Sequence, residues 1–346
     1  MNKNARIALS AAVLFISLMA AAQAAPGARG EGPLGPGAKN VRTKALTAGP
    51  VDAAGRTLHF DSTLAQLTIT AWEKNEVSAE ATVEVGDADP GSTREFLDGT
   101  ALELEAEADG LALRLRTPLD RERMKTIGYK KVGGRSIRSD RWNVSYAARV
   151  VVHVPASQSL DVSNSLGDIE VHGLTGRLKI RNESGKVRVE GCGGELEVEN
   201  GFADVHVADF RGAIDVRNES GDVLAEDING AVNVEISFNS VVLRRTSGPI
   251  KVNGEDASVD IAEIKALPPG SVIDVKTSFQ PIRLTLPSGT EFRGTAKAEF
   301  GKVVTEIPVT LLDPGSPDGQ AVSFGAGKGG VMLKLETTGD ITIQKR

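Results

Sequence analysis

The chain has 346 residues, a formal net charge of −6, 40% hydrophobic side chains, only 4% aromatic side chains and a single cysteine. The mildly acidic balance argues against nucleic acid as the main partner, and one cysteine excludes an internal disulfide framework. The core and the backbone hydrogen bonds must therefore hold the fold. The scarcity of large side chains favours a thin, repetitive β structure over a globular enzyme core.

The first 24 residues have the order of a secretory signal peptide. Lys3 and Arg6 precede an apolar stretch over 7–22, and Ala22-Gln23-Ala24 forms a small-x-small cleavage signal. The apolar stretch is shorter than the roughly 20 residues of a bilayer-spanning helix. We therefore expect an exported protein, in the periplasm or at the cell surface, with no transmembrane helix in the mature chain. A flexible Gly- and Pro-rich linker is expected over 25–45.

Residues 46–155 are predicted to form an N-terminal β region that caps the rest of the chain. Its amphipathic strands are indicated by alternating apolar residues and are expected to pair antiparallel. These strands lie at 67–70, 77–85 and 102–115, with turn signals at 87–91 and at Asp109-Gly110. A basic, Gly-containing insertion follows at 120–142.

A nine-residue unit dominates the chain from Gln158 onward. The first unit begins at Gln158. In all twelve units to residue 261, the residues two and four positions after the first residue of the unit are aliphatic, as in Ile169 and Val171. Polar residues such as Glu170 lie between them. This alternation is typical of a strand with one buried face, and its recurrence at a fixed period predicts a solenoid or array.

A second period, of eighteen residues, runs through the turns. Two kinds of turn alternate, one with asparagine and one with an apolar residue. They contain Asn164, Asn182, Asn200 and Asn218 on one side and Leu174, Cys192, Phe210 and Ile228 on the other. Two alternating corners predict a coil of about eighteen residues that contains two strands. We expect the asparagines to form a side-chain hydrogen-bond ladder that fixes one corner.

The charges distinguish this coil from an antiparallel meander. In a coil each strand lies beside the strand eighteen residues on, so that basic residues face acidic ones. In a meander the neighbours are nine residues apart, and Lys179 would face Arg188. Like charges across strands are destabilising, so the pattern favours the coil. The expected neighbours are Asp168 with Lys186, Glu170 with Arg188, Lys186 with Asp204, Arg177 with Glu195, and Lys179 with Glu197.

The period is interrupted after residue 261 and returns in a less regular form. Further strands are indicated at 272–275, 282–286, 302–309, 331–335 and 341–343, with a loop over 314–330. Residues 156–346 are therefore predicted to form the solenoid. The fold class is all-β: a single-stranded, right-handed parallel β-helix with about 18 residues and two strands per coil, closed by N-terminal capping strands.

Several short motifs resemble the bacterial "putative adhesin" family of unknown function, which consists of exported or membrane-tethered β-solenoid proteins. They are Val152-His153-Val154-Pro155 before Leu160-Asp161-Val162, the units Ser184-Gly185-Lys186-Val187 and Ser220-Gly221-Asp222-Val223, and the closing Thr338-Gly339-Asp340-Ile341. The resemblance covers most of the chain from about residue 56 onward. It implies a surface or periplasmic solenoid without established catalysis, and it brings no functional residues.

Clustered carboxylates are the first enzymatic candidates, because polysaccharide-cleaving enzymes use paired Asp or Glu residues. In the coil each candidate has a basic neighbour, whereas a catalytic acid needs an apolar or like-charged setting. We therefore interpret the carboxylates as a charge ladder and expect no enzyme activity. The candidates are Asp168, Glu170, Asp204, Asp222, Glu195 and Glu197.

The other reactive side chains do not predict a metal or cofactor site. Cys192 belongs to the apolar corners, and the turns lack the recurring Asp of a calcium-binding nonapeptide roll. The histidines lack metal-ligand spacing. They are His59, His153, His172 and His206.

The insertion at 120–142 is the best candidate for a binding site. It carries the one local concentration of positive charge on an acidic protein, in Lys130, Lys131, Arg135, Arg138 and Arg141. Tyr129 and Trp142 could stack against a sugar. The insertion is either a solvated basic loop or an anion-binding patch for lipid headgroups or acidic glycans.

Three functions stay open on the sequence alone. The first is a non-catalytic, adhesin-like or envelope-associated module that binds an envelope glycan, an anionic lipid surface or another envelope protein. The second is a polysaccharide-active enzyme on a β-helix. The third is a self-assembling envelope scaffold, because an uncapped solenoid end is an open strand edge.

Overall fold

The structure is a computed structural model that describes residues 34, 39–86, 88–118, 126–129, 135–138, 143–265, 267–289, 291–312, 319–325 and 330–346. Within these ranges the chain forms 26 strands and one helix. The first part contains β1 (Arg42–Asp52), β2 (Thr57–Leu64), β3 (Gln66–Trp72), β4 (Glu76–Gly86), α1 (Pro90–Asp98), β5 (Ala101–Ala106), β6 (Gly110–Arg116), β7 (Thr126–Tyr129), β8 (Arg135–Arg138) and β9 (Asn143–Pro155).

The repeat region and the C-terminal region contain the remaining strands. The repeat strands are β10 (Leu160–Leu166), β11 (Ile169–His172), β12 (Arg177–Ser184), β13 (Val187–Glu190), β14 (Gly193–Phe202), β15 (Val205–Ser220), β16 (Val223–Asn229), β17 (Val232–Arg244) and β18 (Ile250–Ala262). The C-terminal strands are β19 (Val272–Lys276), β20 (Ile282–Leu286), β21 (Phe292–Ala298), β22 (Val303–Thr305), β23 (Val309–Leu311), β24 (Gln320–Phe324), β25 (Val331–Thr337) and β26 (Ile341–Lys345).

Two ladders of parallel strands run through the repeat region. In one ladder β10, β12 and β14 lie side by side, and Leu160 is aligned with Leu178 and Leu178 with Leu196. In the other, β11, β13 and the first half of β15 pair in the same way, with Ile169 aligned with Val187. The aligned residues are eighteen positions apart, and all twenty-four aliphatic positions of the nine-residue unit are buried. The predicted inward face of the strands is confirmed.

The two kinds of corner differ as the sequence indicates. The apolar corner residues Leu174, Cys192, Phe210 and Ile228 are all buried in the core. The asparagines of the other corner are buried too, but their ladder is divided into two pairs. Asn164 Nδ2 donates to Asn182 Oδ1 at 3.3 Å, and Asn200 Nδ2 donates to Asn218 Oδ1 at 3.1 Å. Between the pairs, Asn182 Nδ2 turns to the carbonyls of Gly167 and Gly185.

The N-terminal region adds rungs to the same ladders. β2 pairs in parallel with β10, and β3 with β11, so the antiparallel pairing expected for residues 67–70 is wrong. β6 and β9 extend the two ladders beyond β2 and β3. Antiparallel pairing is confirmed for β4, which lies between β1 and β9, and for β5 with β6. β1 begins at Arg42, inside the predicted linker.

A short helix replaces the turn expected over 87–91. Asp89 caps α1, because its side chain accepts hydrogen bonds from the backbone N–H groups of Gly91 and Ser92. Pro90 follows at the first helical position, where its missing N–H costs nothing. Phe96 and Leu97 are buried against the core. No helix among the described residues is long and apolar enough to cross a membrane.

The C-terminal region continues both ladders with several departures from the sequence prediction. β19, β25 and β21 extend one ladder, and β20, β26 and β22 extend the other. The segment 302–309 is divided into β22 and β23 before and after Pro308. The loop expected over 314–330 contains β24, which pairs antiparallel with β21 and β23. β21 carries too few large apolar side chains to be recognised in the sequence.

Candidate functional site

Lys186, which immediately precedes β13, connects two acidic residues on the neighbouring rungs. Its ammonium group lies 3.0 Å from Oδ2 of Asp204, and its backbone N–H donates a 2.8 Å hydrogen bond to Oδ1 of Asp168. The hydrogen bond from Lys186 holds the pKa of Asp204 below its usual range. The expected ion pair of Lys186 with Asp204 is confirmed, whereas Asp168 is contacted by the backbone N–H of Lys186 rather than by its ammonium group.

The second charge ladder follows the prediction as well. Lys179 Nζ lies 2.7 Å from Oε1 of Glu197, and Arg177 Nε lies 3.5 Å from Oε2 of Glu195. The hydrogen bond from Lys179 lowers the pKa of Glu197. A general acid needs a raised pKa, so Glu197 is shifted away from acid catalysis.

Arg188 departs from the expected ladder. The strand register places it beside Glu170, but its guanidinium donates to Oε2 of Glu190, two residues further on the same face of β13, at 2.9 and 3.1 Å. This contact lowers the pKa of Glu190. Glu170 instead has His172 Nε2 at 3.8 Å, so the ion pair expected between Glu170 and Arg188 is not formed.

The other three histidines each contact a carboxylate or an aromatic ring. His59 faces Asp161 at 3.9 Å, and His206 faces Glu226 at 3.5 Å. His153 stacks on Trp72 with 5.3 Å between the ring centroids. Among the described residues, no group of three or more His, Cys, Asp or Glu side chains could hold a metal ion.

Cys192 is a packing residue of the apolar corner. Its Sγ accepts a hydrogen bond from the backbone N–H of Leu174 at 3.3 Å and donates to the carbonyl of Glu190 at 3.3 Å. Burial raises the pKa of the thiol, which opposes formation of the nucleophilic thiolate.

The basic insertion is described only in part. Tyr129 ends β7 and is aligned with Arg135 in β8, and β8 pairs antiparallel with the beginning of β9. Arg138 ends β8 opposite Asn143. The other predicted site residues, Lys130, Lys131, Arg141 and Trp142, lie outside the described residues. The role of the insertion in binding stays a prediction.

A long groove follows the asparagine corner across successive rungs. Its volume is about 1160 Å³, and it extends from the rung of β10 to that of β19. One wall carries arginines and glutamates in ion pairs: Arg181 with Glu199 at 3.7 Å, and Arg217 with Glu235 at 3.3 Å. The floor contains the buried asparagines. Residues of the other wall are Glu183, Gly201, Phe202, Glu219, Ser237, Glu255 and Ser278.

Four exposed phenylalanines lie in one column beside this groove, and we call them the phenylalanine stripe. They are Phe202, Phe238, Phe279 and Phe300, with exposed fractions of 58%, 52%, 74% and 73%. The strand register aligns Phe202 with Ser220, and Ser220 with Phe238. Phenylalanine therefore occupies every second rung at this corner.

The same alternation continues into the C-terminal rungs. Phe238 is aligned with Asp256, and the pairs Asn253–Lys276 and Val259–Ile282 on either side place Phe279 next in the column. Thr338 then separates Phe279 from Phe300. Its Oγ1 accepts a hydrogen bond from the N–H of Phe279, and its carbonyl accepts one from the N–H of Phe300.

The sequence analysis did not identify the phenylalanine stripe, although a signal was present. Alternate asparagine turns read Asn182-Glu183-Ser184-Gly185 and Asn200-Gly201-Phe202-Ala203, and Asn218-Glu219-Ser220-Gly221 returns to the first form. This is a period of two coils rather than one. Only the structure shows that the phenylalanines are exposed and lie in a single column.

A model of the family described as Toastrack DUF4097 matches residues 57–266, which is more than half of the chain. The chain belongs to the Toastrack DUF4097 family. The Toastrack region begins at β2 and ends just after β18, so it includes Phe202 and Phe238 but not Phe279 and Phe300. Membership in a family of this kind agrees with the expected resemblance, and an adhesin-like role stays a prediction.

Three solved structures are similar to the chain at low identity. A "putative cell adhesion protein" from Clostridium sporogenes is 11% identical, with 88% of this chain and 100% of that chain covered and a TM-score of 0.26. A "putative adhesin" from Bacteroides fragilis is 11% identical (89% and 98% covered, TM-score 0.36), and a "putative lipid binding protein" from Parabacteroides distasonis is 13% identical (88% and 94% covered, TM-score 0.32). No curated protein matches the chain. This similarity assigns no ligand to the chain.

Proposed function

We propose that this Toastrack protein is a non-catalytic, exported, adhesin-like or envelope-associated module that binds a partner along its outer surface. Its body is a right-handed β-solenoid with about 18 residues and two strands per coil, which presents an extended surface rather than a deep pocket. The observation that carries the proposal is the phenylalanine stripe beside the groove. A regularly spaced column of large exposed apolar side chains indicates an interaction surface, because scattered single ones are normal but a repeated column of them is not.

The charges support the non-catalytic part of the proposal. Glu197 and Asp204, two of the six candidate carboxylates, have lowered pKa values because each accepts a hydrogen bond from a lysine. A polysaccharide-active enzyme on this fold would need a carboxyl group with a raised pKa beside a second carboxylate.

The partner classes are an envelope glycan, an anionic lipid surface and another envelope protein. The basic insertion adds a second candidate surface, with Lys130, Lys131 and Arg135 as its central cations. Anionic lipid headgroups and acidic glycans suit this insertion because of its charge. The groove, with its apolar stripe, suits a partner that buries apolar surface.

The test is retention of the purified mature protein by polysaccharides, peptidoglycan, anionic lipid vesicles and envelope protein extracts, with newly formed reducing ends scored in parallel. Retention without turnover is expected. The variant Phe202→Ser/Phe238→Ser reports on the groove, and its matched control is Leu312→Ser, which removes an apolar side chain of similar exposure elsewhere. Lys130→Ala/Lys131→Ala/Arg135→Ala reports on the insertion, with Lys251→Ala as its control. Turnover of any glycan would overturn the non-catalytic assignment.

A further inference from the structure

The phenylalanine stripe alternates with carboxylates in a regular order. On the first three rungs that carry phenylalanine the preceding residue is small, as in Gly201-Phe202 and Ser237-Phe238, whereas Glu299 precedes Phe300. On the rung before Phe202 and on the two rungs that separate Phe202, Phe238 and Phe279, a glutamate precedes a short polar residue. These glutamates are Glu183, Glu219 and Glu255, and all three are exposed.

The three glutamates beside the phenylalanine stripe are not neutralised by basic side chains of the described residues. On the opposite wall of the groove, Arg181 and Arg217 each form ion pairs with two carboxylates. Within the described part of the chain, no basic side chain forms an ion pair with Glu183, Glu219 or Glu255, and Glu183 accepts only a hydrogen bond from Ser165. The stripe is therefore an apolar surface with uncompensated negative charge.

Aromatic faces that alternate with unpaired carboxylates suit a cationic ligand. A lysine or arginine side chain can lay its methylene stem on a phenylalanine ring and direct its charge to the ring face or to the neighbouring carboxylate. An anionic lipid headgroup or an acidic glycan would meet like charges at the same place. The charge complementarity therefore selects a cationic partner.

The spacing selects the form of that partner. Strands of a ladder lie about 4.8 Å apart, so phenylalanines two rungs apart are separated by roughly 9.6 Å. Three residues of an extended polyproline-II chain rise about 9.3 Å. Every third side chain of such a segment would meet the next phenylalanine. The six rung steps from Phe202 to Phe300 span roughly 29 Å, which is about ten extended residues.

We infer that the groove binds an extended, lysine- or arginine-rich segment of another polypeptide, whose cationic side chains lie on the phenylalanine stripe and between its glutamates. This inference rests on the proposed binding function and names the partner class for the groove. The backbone of the segment follows the groove across the rungs, and the paired wall of arginines and glutamates forms its other side.

The experiment measures binding of the mature protein to a synthetic peptide of roughly 15 residues, long enough to span the stripe, with the repeat Lys-Pro-Leu. The matched probe is the repeat Glu-Pro-Leu, and vesicles of anionic lipid are the third probe. We expect the lysine peptide to bind and the glutamate peptide not to bind. Phe202→Ser/Phe238→Ser should weaken binding of the lysine peptide about tenfold or more. Serine is the native residue at Ser220, on the rung between Phe202 and Phe238.

A second variant tests the charge without changing the apolar surface. Glu219→Gln/Glu255→Gln should weaken binding of the lysine peptide roughly threefold to tenfold and reduce the salt dependence of binding. Glu195→Gln, which removes a carboxylate that is paired with Arg177, should leave binding unchanged. Cooperative unfolding of each variant verifies its fold.

Three outcomes overturn the inference. They are equal binding of the glutamate peptide, capture of anionic vesicles through the phenylalanines, and a dimer in sedimentation that Phe202→Ser/Phe238→Ser dissolves. Each of these leaves the groove as a binding surface and changes only its occupant. If none of the probes, envelope extracts or glycans responds to the phenylalanine substitutions, the proposed function of the groove fails as well.

Discussion

The ammonium group of Lys179 lies 2.7 Å from Oε1 of Glu197, the residue eighteen positions further along the chain. The two side chains are aligned across the parallel strands β12 and β14, and each is less than a third exposed. This contact depends on the length of one coil, because a residue nine positions away lies on the other ladder.

Reversing the charges of this pair tests the coil length. Lys179→Glu places two glutamates side by side and should lower the free energy of unfolding by about 1 kcal/mol. Adding Glu197→Lys should restore most of that loss, which equilibrium unfolding in urea measures. The control combines Lys179→Glu with Glu190→Lys, which lies on the other ladder and should give no rescue. Rescue by the control instead would contradict the eighteen-residue register.

The same pair predicts a pH dependence. The folded-state pKa of Glu197 is lowered from its ordinary value of 4.5 by the hydrogen bond from Lys179. A lowered pKa means that the pair stabilises the protein above pH 4.5 and that this stabilisation is lost as the pH falls through the folded-state pKa. The urea midpoints of the wild type and of Lys179→Met should therefore differ at pH 7 and converge toward pH 3. A difference that persists at pH 3 would assign the effect to packing of the lysine stem.

Gly185 should tolerate no side chain. Its φ is 138°, and a Cβ at this position would lie 2.2 Å from the carbonyl oxygen of Gly167 on the neighbouring rung. Gly185→Ala should lower the free energy of unfolding by roughly 2 to 4 kcal/mol, because both the backbone and the rung spacing are strained. Gly289→Ala, where nothing lies within 4 Å of the added atom, should be nearly neutral, and thermal unfolding of both variants measures the difference.

The buried amide of Asn200 should contribute to stability through two hydrogen bonds. Its Nδ2 donates to the carbonyl of Ala203 at 2.9 Å and to Oδ1 of Asn218 at 3.1 Å. Asn200→Ala leaves both acceptors without this donor in a buried site and should cost about 1 to 3 kcal/mol. Asn229→Ala, at an exposed position, should change stability by less than about 0.5 kcal/mol. Equal losses in the two variants would show that the asparagine pair does not stabilise the corner.

The thiol of Cys192 should react slowly in the folded protein. It is buried, and burial raises its pKa, so both access and thiolate formation are limited. Labelling with a thiol reagent at pH 8 should be at least about tenfold slower in the native protein than in urea. Native labelling as fast as in urea would place this corner at the surface.

Much of the fold could be predicted because the repeat encodes it locally. The apolar positions at Ile169 and Val171, with a charged residue between them, define a strand and its buried face within five residues. The charges at Lys179 and Glu197 then distinguish parallel neighbours from antiparallel ones. The candidate site could be predicted less well, because exposure and alignment of side chains over many rungs have no local signature.

The sequence by itself determined the period, the inward faces, the two corners and the order of the charges along the coil. The tertiary structure decided which distant segments complete the ladders: it aligned Leu58 with Leu160 and formed a helix after Asp89. It also placed Phe202, Phe238, Phe279 and Phe300 in one exposed column. These features depend on contacts between residues far apart in the chain, and such contacts follow from packing and hydrogen bonding of whole strands rather than from any short stretch of sequence.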